Sequence, residues 1–80
     1  MINRETFLTG LKNQFEDSDA EVINLETRFE KLDTWDSLTK YSIIAFVEDD
    51  YKIELSSGQL AKIETPADLA NFIEQQLNDN

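Results

Sequence analysis

Eighty residues, 17 acidic against seven basic, give a formal charge of −10, which opposes binding to nucleic-acid phosphates or anionic lipid and favours partners with basic surfaces. A chain of this size buries only about 60% of its unfolded surface, so a single domain over residues 1–80 with a thin core is expected. With 40% hydrophobic residues, two glycines, one proline and neither cysteine nor histidine, the composition favours a small all-α domain and leaves out thiol and imidazole catalysis.

Phe7, Leu8, Leu11 and Phe15 recur at helical spacing, predicting a first helix over residues 3–15, with Asn3 as its cap and Gly10 as a local weakness. From Glu16 to Asp36 the period is lost. This stretch reads as one long loop, with at most a short helical turn, pinned by Val22, Ile23, Leu25, Phe29, Leu32 and Trp35. So long a connection is commonly functional. Asp17, Asp19 and Glu21 alternate like the opening of a calcium loop. However, Val22 stands where glycine is required and Arg28 where the bidentate glutamate belongs, so no metal is expected.

A second helix is predicted from Ser37, a residue suited to capping, to Asp50 or Tyr51. It has two apolar faces: Ile43, Ile44, Phe46, Val47 and Tyr51 form a broad core arc, while Leu38, Tyr41 and Ala45 fall opposite. The outward stripe either serves docking or is covered by loop residues such as Trp35. Glu48, Asp49 and Asp50 read as a solvated acidic face. Ser56, Ser57 and Gly58 break the chain before a short helix over 59–63. Thr65, Pro66 and Asp68 then start a final helix that buries Leu69, Phe72, Ile73 and Leu77. Neither the opening residues nor any later segment has the apolar run of a signal peptide or membrane span, so a soluble, cytoplasmic, monomeric protein is expected.

Ser37 stands out because it presents a hydroxyl where the long loop meets the two-faced helix. No acid–base constellation accompanies it, so the chain is not expected to be an enzyme. Leu25-Glu-Thr-Arg-Phe29, Leu32, and Trp35-Asp36-Ser37-Leu38, followed by the helix to Tyr51, by Ile53 and Leu55, and by Leu60, Lys62, Ile63 and Thr65, resemble an acyl carrier protein of the small standalone type. The resemblance spans most of the chain. It implies a four-helix bundle of acyl-carrier type, with three longer helices, one short helix and a long loop between the first two.

The resemblance further implies that Ser37 carries a 4′-phosphopantetheine arm, added from coenzyme A by a phosphopantetheinyl transferase, and that Asp36 orients that chemistry. An acyl group held as a thioester on the arm would then pass between acyl-loading and acyl-transferring enzymes. Free N–H groups and the helix dipole at Ser37 are expected to accommodate the phosphodiester. This chain departs from the family on the outward side of the helix, where Thr39, Lys40 and Ser42 stand in place of the usual acids and Tyr41 in place of a smaller aliphatic residue. Thr34-Trp35 replaces a glycine-rich approach. These departures imply a dedicated partner set in a specialised pathway. The rings of Phe46 and Phe72 in so thin a core imply short or polar cargo. The alternatives are an aminoacyl or peptidyl carrier using the same arm, and an unmodified acidic helical interaction module in which Ser37 is only a helix cap.

Overall fold

The computed structural model describes residues 2–15, 17–32 and 35–78, all of them in helices or connecting segments with no strand. The elements are α1 (Arg4–Lys12), α2 (Asp17–Ala20), a 3-10 turn (Phe29–Lys31), α3 (Ser37–Tyr51), α4 (Ser57–Ala61) and α5 (Pro66–Asn78). The three long helices carry the fold: α1 packs on both α3 and α5, and α4 packs on α3.

Helix α1 starts as its sequence suggests, with the Asn3 side chain accepting the Thr6 N–H at 3.0 Å. It ends at Lys12, one turn short of the predicted residue 15. There Gln14 N–H and Phe15 N–H turn back to the Leu11 and Lys12 carbonyls, and the Gln14 side chain takes the Gly10 carbonyl at 3.1 Å. The tightened turn still sends Phe15 into the core beside Phe7 and Leu11. Leu8 is only partly buried.

Gly10 is not the weakness expected from helix propensity. A Cβ at this position would lie 2.6 and 2.8 Å from Cε1 and Cζ of Phe46, so glycine is what lets α1 approach α3. Alanine would gain about 1 kcal/mol in helix propensity but cost about 1–3 kcal/mol in overpacking against a buried ring. Gly10→Ala is therefore expected to lower the urea midpoint, and to raise it in a Phe46→Leu background where the ring is gone. A higher midpoint for Gly10→Ala alone would show that the ring yields freely.

The predicted loop contains α2 and the 3-10 turn, and its side chains divide. Ile23, Phe29 and Leu32 are buried, Trp35 packs partly buried against the core, and Leu25 is partly exposed. Val22 is instead exposed, contrary to expectation. Both Val22 N–H and Ile23 N–H bond to the Asp19 carbonyl, a turn that admits one of two adjacent side chains to the core, and Ile23 takes that place. Two backbone bonds then fasten this segment to the α4–α5 connection, Phe29 N–H to the Glu64 carbonyl at 2.8 Å and Ala67 N–H to the Leu25 carbonyl at 2.9 Å. Arg28 pairs with Glu64 across the same join.

Within α3, Ile43, Phe46 and Val47 are buried while Ile44 and Tyr51 are partly so. The Tyr51 ring lies 6.2 Å from Phe7 and 5.9 Å edge-on to Phe46, and burial, then the Asp50 charge, raises its hydroxyl pKa. The helix ends on Lys52 in the left-handed region (φ 59°), whose N–H returns to the Glu48 carbonyl. Helix α4 begins two residues earlier than predicted, because Ser56 and Gln59 cap one another reciprocally. Helix α5 starts as predicted, Thr65 Oγ1 accepting the Asp68 N–H ahead of a buried Pro66. It buries Leu69, Ala70 and Ile73, whereas Phe72 is partly buried and Leu77 is exposed. Arg4, the first residue of α1, bonds Asn71 at 2.6 Å and pairs with Glu74 at 3.3 Å. Leu77 lies a turn beyond this clamp, where little of α1 is left to cover it.

Candidate functional site

The start of α3 is built by Asp36. Its backbone is extended, its side chain accepts the Thr39 N–H at 2.9 Å, and its carbonyl accepts the Lys40 N–H at 3.0 Å. Asp36 is thus the N-cap, not Ser37. The two residue types cap about equally well, so the sequence leaves the register open by one position. The structure settles it with Thr39, which is buried and points its backbone donor at Asp36. Thr39 accordingly does not belong to the outward face where its place in the sequence suggested it, while Lys40 and Ser42 are partly buried.

The Thr39 N–H, and next its hydroxyl, hold the Asp36 carboxyl below its usual range, with desolvation opposing and the Leu38 N–H adding to the lowering. A carboxyl with a lowered native pKa contributes stability in full above its unfolded value of about 3.9, and that contribution fades as pH falls through the native value. The stability gap between the parent and Asp36→Asn is therefore expected to be constant from pH 7 to about 5 and to close below about 4. Urea melts across this range test it. A gap that widens on acidification would mean that the charged cap is not what the parent gains.

Ser37 follows as the first helical residue. It is exposed, and with Asp36 doing the capping its hydroxyl is not needed to close the helix. Leu38 is 80% and Tyr41 64% exposed, and Ala45, on the same side, is exposed as well. Trp35 does not cover this stripe. Its ring stacks on Phe29 at 4.5 Å and 6°, with Phe15 parallel at 6.3 Å. Thr34, the other residue of the approach, lies outside the described residues.

Beside Trp35 opens a cleft of about 210 Å³ walled by Phe29, Trp35, Lys40, Ala61, Ile63 and Glu64. Lys40 Nζ stands 5.3 Å from the centre of the Trp35 ring. Sequence reasoning missed this contact, although a signal for it exists: helical side chains lean toward the N-terminus, and a lysine one turn into a helix can reach back to the residue before its cap. Among the described residues no cluster of acids is arranged to hold a metal, and no helix is long and apolar enough to cross a membrane. The side chain of Asp17, part of the calcium-like alternation, lies outside the described residues.

Compared with protein families, curated proteins and solved structures, the chain matches none. What the site can do therefore rests on its own chemistry. It offers one exposed primary hydroxyl beside a carboxylate already engaged in capping, at the start of the longest helix, flanked by an exposed apolar stripe and an aromatic cleft.

Proposed function

We propose that this chain is an acyl carrier domain, its helices forming a bundle of acyl-carrier type, with Ser37 as the attachment point for a 4′-phosphopantetheine arm. The observation that carries the reading is the division of labour at the start of α3: Asp36 caps the helix, and Ser37, next to it, keeps an exposed hydroxyl. The Ser37 hydroxyl is therefore free of the capping role and open to an attachment. With the neighbouring carboxylate engaged in capping, Ser37 is a poor catalytic nucleophile but an adequate acceptor for an enzyme that brings its own base.

In that attachment the Ser37 oxygen bonds to phosphorus of the coenzyme A diphosphate, the anhydride bond breaks, and adenosine 3′,5′-bisphosphate leaves. The hydroxyl proton passes to the transferase. Bound at Ser37, the arm would supply a thiol for thioester chemistry, and this chain's own residues would position and present it. Asp36 fixes where the helix begins and hence where the Ser37 hydroxyl points. Leu38, Tyr41 and Ala45 form the apolar face that a loading or transferring enzyme would cover, and the charge of −10 draws in partners with basic surfaces. The weak acidic edge after Ser37 and the bulky Tyr41 favour a dedicated partner set and a specialised pathway.

The test is intact-mass analysis after incubation with a phosphopantetheinyl transferase and coenzyme A. One adduct that maps to Ser37 is expected. No adduct would favour the unmodified interaction module, and an adduct on Ser42, Ser56 or Ser57 would end the assignment to Ser37.

A further inference from the structure

An anion attached to Ser37 meets a difficulty at this particular helix start. One of the backbone donors that would ordinarily receive it, the Thr39 N–H, is already bonded to the Asp36 carboxylate. A phosphodiester one residue on would also face a like charge. Of the free N–H groups expected to accommodate the arm, Thr39 N–H is thus taken by Asp36. A nearby cation would offset that like charge.

Lys40 is the only basic residue of α3 and stands three positions after Ser37, on the neighbouring position of the same helical surface. Its Nζ lies over Trp35, a residue that precedes the helix, so its side chain already runs back toward the N-terminus along the side of the first turn. No carboxylate among the described residues pairs with it; an aromatic face holds it in place. An aromatic quadrupole attracts a cation more weakly than a full anion does at contact. Lys40 therefore stands one helical turn from Ser37 with an aromatic face, and no described carboxylate, as its partner.

We propose that Lys40 is the positioning residue for the arm: once Ser37 carries its phosphodiester, the Lys40 ammonium leaves the Trp35 ring and pairs with the phosphate. The exchange has a second consequence. Lys40 forms part of the wall of the 210 Å³ cleft with Phe29, Trp35, Ala61 and Ile63, so its departure uncovers Trp35 on the cleft side. Modification of Ser37 would thus open the aromatic cleft beside it. This inference rests on the carrier reading, which supplies the phosphodiester.

Lysine and tryptophan NMR shifts test it directly. In the unmodified protein the Lys40 Hε protons are expected to show an upfield ring-current shift from Trp35, and after modification to return toward the ordinary lysine position. The Trp35 indole resonances should move in the same step. In Lys40→Met, which keeps the aliphatic stem without the charge, modification should leave Trp35 nearly unmoved, and the phosphorus resonance of the arm should differ from that of the parent and lose its dependence on salt. An adduct confirmed on Ser37 by mass with Lys40 Hε unmoved would overturn the inference while leaving the carrier reading intact. Absence of any adduct would overturn the carrier reading and the inference with it.

Discussion

Ser37→Ala is expected to fold as well as the parent and to accept no phosphopantetheine at all. The stability half of this expectation follows from the cap. Alanine at the first helical position is a good helix former, and the Asp36 side chain still receives the Thr39 N–H, so the change in stability should stay within about 0.5 kcal/mol, as for ordinary surface substitutions. Had Ser37 been the cap, its removal would have cost about 1 kcal/mol, several degrees of melting temperature in a domain of this size. Asp36→Ala is the matched control, expected to lower the melting temperature while keeping the hydroxyl. Thermal melts and intact masses of the two variants separate a residue that carries cargo from one that holds the helix. A Ser37→Ala protein that melts several degrees early would return Ser37 to the role of a cap.

Much of this was legible in the sequence wherever one residue type has one good place. Thr65 followed by Pro66 starts a helix almost unconditionally, and the period of Ile43, Phe46 and Val47 fixes the inner face of α3. Harder to read were choices between near-equals. Asp36 and Ser37 cap equally well, and the decision came from Thr39, whose burial no periodicity announced. Gly10 looked like a flaw because helix propensity concerns one helix, whereas its reason is the Phe46 ring of another. Leu77 keeps the spacing of the buried face but lies beyond the Arg4 clamp, and spacing along one helix does not say where its neighbour begins. The Lys40–Trp35 contact was hidden because a lysine near a helix start is ordinarily a solvated charge.

The opposed faces of α3 give the remaining large effect, a dissociation between folding and docking. Val47 is fully buried against the core, and truncating it to alanine leaves a small cavity. That should cost about 2 kcal/mol and lower the melting temperature by roughly 8–16 °C. Tyr41 is 64% exposed on the other side, and its replacement by alanine should move stability by no more than about 0.5 kcal/mol. At an interface the order reverses. Exposed aromatic residues that become covered are the usual anchors, and losing one costs more than about 1 kcal/mol of binding, about a fivefold or greater loss of affinity. Tyr41→Ala is thus expected to slow acyl transfer by its partner several-fold at subsaturating concentration while melting like the parent. Val47→Ala should melt early yet transfer at the parental rate below its melting range. If, as proposed, the acidic surface drives encounter with a basic partner, rising salt should slow parent and Tyr41→Ala by a similar factor, leaving their ratio unchanged. That constancy distinguishes an apolar anchor from a residue that acts through charge. If Tyr41→Ala transferred at the parental rate, the exposed stripe of Leu38, Tyr41 and Ala45 would be ordinary surface, and the partner would have to read the carrier from another face.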